Sequence, residues 1–170
     1  SKANSVLYAA GYNVNMGIVA DLNSEAPGGN NLNLSSRTYS SDPEVISKLI
    51  IPIIEESSKS GIIPVVKHYP GLGRAAVDTH RRLSYIKVSK KELLNTDLAP
   101  YRELVKHRDL NYWIMPGHAV YSDIDSKPAS ISRVFLTDIL RKELGFSGIV
   151  ISDELSTMQS LREYAQESHL

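Results

Sequence analysis

The sequence contains no cysteine, and its 19 Lys and Arg residues are balanced by 19 Asp and Glu residues. The absence of cysteine excludes a disulfide framework and any metal site built from thiolates, although it says little about the cellular compartment. A formal net charge of zero gives no basic face of the kind that attracts nucleic acid or an anionic membrane. We therefore expect no nucleic acid among the partners of this protein.

Long hydrophobic runs are missing as well. No apolar segment approaches the about 20 residues that cross a bilayer, and no signal peptide opens the chain, so no membrane span is expected. The localisation stays unknown, because a cytoplasmic and an exported parent protein are both compatible with the sequence. With 170 residues, of which 42% are hydrophobic and 22% charged, the chain is long enough for one globular domain with a core.

The chain repeats one unit, a strand followed by a helix, four times. The predicted strands are residues 13–22, 62–66, 112–115 and 148–153, and helices are predicted to begin near residues 42, 89, 132 and 155. An initial helix, closed by Gly11, precedes the first strand. Asp42 before Pro43 is typical of a helix start, and Ser89 with Glu92 forms a capping box. A kink is expected at Pro52.

Continuous apolar strands that alternate with helices indicate a parallel sheet covered by helices, which leaves a doubly wound open sheet or part of a barrel. No Gly-x-Gly-x-x-Gly opens a helix after the first strand, which disfavours a dinucleotide-binding sheet. Polar residues fall at the carboxyl ends of the strands, where barrel active sites assemble; they are Asp21, Lys67, His68, His118 and Asp153. We therefore predict an α/β fold, a partial (half) TIM-type (β/α)8 barrel of four βα units with parallel strands.

One predicted loop contains several polar and charged residues that could take part in catalysis. It follows the second strand and contains Lys67, His68, Arg74, Asp78 and His80. Gly71 and Gly73 allow a sharp turn and the close approach of another group. Asp78 and His80 are two residues apart, near enough for the carboxylate to hold the imidazole. We predict that this is the active-site loop.

These residues carry a family resemblance. Lys67-His-Tyr-Pro-Gly-Leu-Gly73, followed by Asp78-Thr-His80, resembles the Lys-His-Phe-Pro-Gly-x-Gly…Asp-Ser/Thr-His signature of glycoside hydrolase family 3, in its branch of bacterial β-N-acetylglucosaminidases (β-hexosaminidases). Further segments agree in order, at residues 13–22, 37–43, 115–121 and 128–153. The resemblance covers nearly the whole chain. It implies that residues 1–170 form a single partial catalytic domain with barrel strands three to six.

The resemblance also implies roles for individual residues. Asp153 matches the nucleophile, His80 the general acid/base and Asp78 its orienting partner, as a retaining glycosidase requires. The groups that hold the sugar are expected to be Arg37, Lys67, His68 and His118. No cofactor or metal is expected.

The pattern alone leaves other roles open for these residues. Asp153 could merely cap the following helix, and His80 could be a solvated loop residue. Lys67 and His68 could be surface residues and Arg37 a solvated charge. His118 is as compatible with a bond to a neighbouring backbone group as with a substrate contact.

Several functions remain open at this point. The first is hydrolysis of terminal β-linked N-acetylglucosamine, and the second is phosphorolysis, because a neutral His repels phosphate less than a carboxylate would. A non-catalytic fragment that binds or assembles is the third. A metal hydrolase has less support, because no His-x-His or His-Glu-x-x-His spacing occurs.

The chain on its own is expected to self-associate and to have little activity. In a full barrel, one face of these four strands would meet four more strands. We expect that face to lack a partner within the chain and to include parts of Val14, Ile18, Val65, Ile114 and Val150. Each large aliphatic side chain left in water forgoes roughly 1.5–3 kcal/mol. Part of the family's sugar site would also lie on the two barrel strands that precede this chain.

Overall fold

A computed structural model describes residues 2–23, 34 and 36–168. The strands are β1 (Val14–Val19), β2 (Ile63–Tyr69), β3 (Tyr85–Ile86), β4 (Trp113–Pro116) and β5 (Val120–Tyr121). The α-helices are α1 (Lys2–Ala9), α2 (Pro43–Lys59), α3 (Lys90–Asn95), α4 (Ala99–Leu104) and α5 (Gln159–Glu167). A 3₁₀ turn, Ala129–Ile131, and a π-helix, Val134–Glu143, lie between β5 and α5. The polar loop between β1 and α2 falls mostly outside the described residues.

The main sheet has three strands in the order β1-β2-β4, and both neighbouring pairs are parallel. Ile18 lies opposite Val66 in the register, and Val66 lies opposite Ile114. The helix α2 connects β1 to β2, and the helices α3 and α4 connect β2 to β4. The predicted α/β fold with parallel strands is therefore confirmed for the first three units.

The fourth predicted strand, residues 148–153, is much shorter than expected. It is reduced to one parallel bridge between Ile114 and Val150. Two hydrogen bonds make this bridge, from Ile114 N to Ile149 O at 3.0 Å and from Ile151 N to Ile114 O at 3.0 Å. The neighbouring β4 has only four residues, and its last residue, Pro116, has no N–H to donate. Few ladder bonds are therefore possible at this edge.

The last helix begins at Gln159 rather than near residue 155. The side chain of Glu154 explains why the helix begins later than predicted, because its carboxylate accepts hydrogen bonds from Ser156 N at 2.7 Å and from Thr157 N at 2.6 Å. These bonds close a turn that competes with an immediate helix start.

The predicted helix boundaries at Asp42, Ser89 and Gly11 agree with the structure. Asp42 Oδ1 accepts from Glu44 N at 2.8 Å, and Ser89 Oγ accepts from Glu92 N at 3.2 Å. Gly11 follows the first helix with φ of 88°, in the left-handed region where glycine carries no steric cost. The helix α2 continues past Pro52 without interruption, so the kink stays a prediction.

The core lies between the sheet and the helices. Ile46, Ile50 and Ile54 of α2 are fully buried and pack in one cluster with the aromatic rings of Tyr69 and Tyr101. These two rings meet edge to face, with centroids 5.3 Å apart.

The expectation of an uncovered strand face is wrong for three of its five residues. Ile18, Val65 and Ile114 are buried, whereas Val14 and Val150 are half-buried. Ile18 and Ile114 belong to the same hydrophobic core as the helix α2, so they lie on the covered side of the sheet. Val65 lies in β2, between the two other strands.

Within the described part of the chain, no helix is long and apolar enough to cross a membrane.

Candidate active site

A small cleft lies at the carboxyl edge of the sheet. Five of the predicted site residues line it: Arg37, His68, Asp78, His80 and Asp153. They come from four separate parts of the sequence, and the fold brings them together because parallel strands end at the same edge. Lys67 and His118, the other two predicted residues, lie beside this group.

Asp78 and His80 form the pair that their spacing predicted. Asp78 Oδ1 lies 2.7 Å from His80 Nδ1, and the same oxygen accepts from the backbone N–H of His80 at 3.0 Å. The side chain of His80 is 59% exposed, whereas that of Asp78 is 13% exposed. Because the carboxylate accepts a hydrogen bond from Nδ1–H, the other ring nitrogen is left to exchange a proton with a ligand or with water.

Asp153 also lines the cleft, and it follows the bridge at Val150 in the sequence. Its side chain is 22% exposed, and its Oδ1 accepts from Glu154 N at 2.9 Å. Its other oxygen, Oδ2, lies 4.0 Å from Nε2 of His68. The carboxylate is therefore accessible and keeps one oxygen for a ligand.

The side chain of the neighbouring Glu154 accepts hydrogen bonds from Ser156 and Thr157. Hydrogen bonds from the side chains of Ser156 and Thr157 lower the pKa of Glu154 to about 2. A carboxylate that closes its own turn in this way is a weaker nucleophile candidate than Asp153.

His68 is buried against a second carboxylate. Asp21 Oδ2 lies 2.6 Å from His68 Nδ1, and Asp21 has no exposed surface. The sequence placed Asp21 at a strand end but gave it no role. Its partner was not predictable, because His68 lies 47 residues further along the chain. The Lys67–His68 and Tyr69–Pro70 peptide bonds are both cis.

Lys67 is half-buried beside the cleft. Burial is the main cause that lowers its pKa, and the positive charge of Arg37 acts in the same direction. The carboxylates of Asp153 and Asp21 oppose the shift. Lys67 and Arg37 therefore place positive charge near Asp153.

His118 has no exposed surface, and both of its ring nitrogens have partners inside the protein. Nδ1 lies 2.6 Å from Ser130 Oγ, and Nε2 lies 3.2 Å from the backbone oxygen of Glu154. Burial lowers the pKa of His118, which favours the neutral ring. This geometry favours the alternative role, a bond to a neighbouring backbone group, over a contact with substrate.

Arg74 of the predicted loop points away from the cleft. Its guanidinium bonds Asp97 at 2.7 Å, Glu92 at 2.8 Å and Thr96 at 3.1 Å. The loop is thereby tied to the region around α3. At Gly73, an added Cβ would lie 1.9 Å from Leu22 O, which confirms the close approach that the sequence predicted.

Among residues 2–23, 34 and 36–168, no group of three or more His, Cys, Asp or Glu residues is arranged to hold a metal.

A parallel α/β unit with its polar residues at the carboxyl edge of the sheet is typical of (β/α)8-barrel domains. The chain belongs to glycosyl hydrolase family 3, because residues 3–169 match the family's profile, described as "Glycosyl hydrolase family 3 N terminal domain".

Similar proteins include bacterial β-hexosaminidases. That of Tolumonas auensis is 38% identical over 123 residues, which cover 72% of this chain and 36% of that protein. That of Haemophilus influenzae is 37% identical over 122 residues, which cover 72% of this chain and 34% of that protein. The chain thus spans about a third of the length of these curated relatives.

Solved structures agree with this result. NagZ from Neisseria gonorrhoeae, in complex with N-trifluoroacetyl-D-glucosamine, has a TM-score of 0.81 at 33% identity over 90% of this chain and 43% of its own. The β-N-acetylglucosaminidase of Thermotoga maritima has a TM-score of 0.81 at 32% identity over 95% of this chain and 32% of its own.

Proposed function

We propose that the protein is a glycoside hydrolase that removes terminal β-linked N-acetylglucosamine with retention of configuration. The observation that carries the proposal is the cleft, in which the accessible carboxylate of Asp153 faces the same space as the Asp78–His80 pair. The names of its relatives and the N-trifluoroacetyl-D-glucosamine bound in the NagZ complex support this substrate class.

In this proposal, Asp153 attacks the anomeric carbon of the sugar while the glycosidic bond breaks. His80 gives a proton to the departing oxygen, and Asp78 holds the ring in the correct orientation. The product of this step is a glycosyl ester on Asp153. Water then attacks the same carbon and gives its proton to His80, which releases the sugar and restores both groups.

We assign the binding of the sugar hydroxyls to Arg37, Lys67 and His68, all of which lie in or beside the cleft. His118 is assigned instead to the support of the segment that carries Asp153, because its ring bonds the backbone of Glu154.

Kinetics of a complete enzyme that contains this chain, on an aryl N-acetylglucosaminide with an activated leaving group, test these roles. Asp153→Asn should abolish turnover, whereas His80→Ala should lose much less, because a good leaving group needs little protonation. Asp138→Asn, a change of the same kind on the exposed side of the π-helix, serves as the matched control and should keep full activity. Equal losses in Asp153→Asn and His80→Ala would remove His80 from the acid role.

A phosphorylase is the second candidate. The donor position is taken by an imidazole rather than a carboxylate, and Lys67 and Arg37 bring positive charge, so phosphate would meet less repulsion here than beside two carboxylates. The dependence of turnover on inorganic phosphate separates the two reactions. Turnover that is independent of phosphate is the result expected for the hydrolase.

We also propose that residues 1–170 form a single partial catalytic domain, with barrel strands three to six. The support is the family profile, which extends over residues 3–169, together with the share of the relatives that the chain covers.

A further inference from the structure

Asp21 is a fully buried carboxylate at the end of β1. Its Oδ1 accepts from Leu72 N at 2.6 Å, and the backbone N–H of His68 is shared between Oδ1 at 3.2 Å and Oδ2 at 3.3 Å. Its Oδ2 lies 2.6 Å from Nδ1 of the His68 ring. A buried carboxylate is costly unless its oxygens accept hydrogen bonds, and here three N–H groups converge on it.

This arrangement decides which nitrogen of His68 carries the hydrogen. An ionised carboxylate can only accept, so Nδ1 must be the donor. A neutral imidazole has a single N–H, which leaves Nε2 as a bare acceptor. Nε2 lies 4.0 Å from Asp153 Oδ2, beyond the range of a hydrogen bond, and His68 lines the cleft.

We propose that Asp21 is a positioning residue: it fixes His68 in the Nδ1–H tautomer and makes Nε2 a hydrogen-bond acceptor for ligands in the cleft. The groups that such an atom recognises are donors, such as a hydroxyl. An acceptor-only group, such as a carboxylate oxygen, finds no donor on the neutral ring. If the proposed function is correct, the donor is a hydroxyl of the sugar, and this step of the argument rests on that function.

Asp21→Asn is a sharp test because the backbone donors cannot change. Leu72 N, which bonds Oδ1 at 2.6 Å, remains an N–H group, so the amide oxygen of an asparagine must face it. The NH₂ group then replaces Oδ2 and faces Nδ1 of His68, which has to become an acceptor. The ring would switch to the Nε2–H tautomer.

Nitrogen NMR of histidine-labelled protein reads this directly. The spectra are recorded at about pH 9, where an ordinary imidazole is neutral, and His68→Gln identifies the His68 signals. The intact wild-type protein should show a protonated Nδ1 and an unprotonated Nε2, and Asp21→Asn should show the reverse. Asp97→Asn is the matched control, because Asp97 is equally buried but bonds Arg74 and Thr96; it should keep the wild-type tautomer.

The wild-type spectrum alone can overturn the proposal, even if Asp21→Asn does not fold. A wild-type ring protonated at Nε2, or the same tautomer in wild type and in folded Asp21→Asn, would reduce Asp21 to a structural clamp for the loop. Addition of N-acetylglucosamine should shift the Nε2 signal. If the tautomer is as expected and this sugar has no effect, the positioning role stands and the proposed substrate is wrong.

If the glycosidase function is correct, the kcat of Asp21→Asn gives a second test of the positioning role. Imposing the wrong tautomer on a catalytic triad lowers kcat by about 10⁴-fold. His68 contacts substrate rather than transferring the proton, so a smaller loss, on the order of 10²-fold, is expected for Asp21→Asn.

Discussion

At the scale of single residues, the three histidines in or beside the cleft differ because their surroundings differ. His80 is exposed and held by one carboxylate, whereas His68 is buried against another. His118 is buried among neutral partners, Ser130 and a backbone oxygen. Residue type alone would have treated the three rings alike, so their roles depend on partners that only the fold supplies.

The lowered pKa of His118 predicts how stability depends on pH. Because the folded state keeps this ring neutral, the unfolded chain binds more protons at this site near the ordinary pKa of about 6.5. The contribution of His118 to the free energy of unfolding is therefore full above that pKa and is lost as the pH falls through it. We expect stability to fall between about pH 7 and pH 5 in the wild type.

Denaturant unfolding at several pH values measures this dependence. In His118→Gln, which has no titrating ring, the fall should be smaller, whereas His107→Gln is the control on a histidine outside the cleft. The same pH dependence in wild type and His118→Gln would contradict the account.

Sequence reasoning succeeded at this scale where the contact is local. The Asp78–His80 pair followed from a spacing of two residues in a loop. The Asp21–His68 contact joins the segment after β1 to β2, and no local pattern indicates which buried carboxylate will meet which imidazole.

At the scale of elements, the start of α2 depends on one side chain. Asp42 caps the helix by accepting from Glu44 N at 2.8 Å. Asp42→Ala should lower the free energy of unfolding by about 1 kcal/mol, the usual value of an N-cap. Asp42→Asn should remain near wild type, because asparagine caps about as well as aspartate. Urea unfolding would contradict this interpretation if Asn destabilised the protein as much as Ala.

The main strands were predictable because each is a continuous apolar run between turn residues. The strands β3 and β5 have two residues each, too few to form any periodic pattern. The fourth strand was overpredicted, because an apolar run indicates burial but does not say how many ladder bonds the neighbouring strand can offer.

At the scale of the whole molecule, the sheet formed by the described residues has an open edge. Within that part of the chain, β1 pairs with β2 alone, and the exposed apolar residues at the two ends of the sheet include Met16, 46% exposed, and Ile149, 53% exposed. Open edges invite pairing with another chain. We therefore predict that this chain self-associates, most simply as a two-fold dimer.

Light scattering over a dilution series tests this prediction. Met16→Lys should weaken the association, because it places a charge on the open edge strand. Val45→Lys, at a comparably exposed position on α2, is the control and should leave association unchanged. A monomer at every concentration, or equal effects of the two substitutions, would rule out association through this edge.

The central claim is that Asp153 is the nucleophile, and a trapped intermediate tests it most directly. In a complete enzyme that contains this chain, His80→Ala should form the glycosyl ester quickly from an activated aryl N-acetylglucosaminide but hydrolyse it slowly, because the group that activates water is missing. Rapid quenching, proteolysis and mass spectrometry then locate the sugar. The account predicts an N-acetylhexosaminyl group on Asp153, and a label on Glu154, or no label while turnover continues, would contradict it.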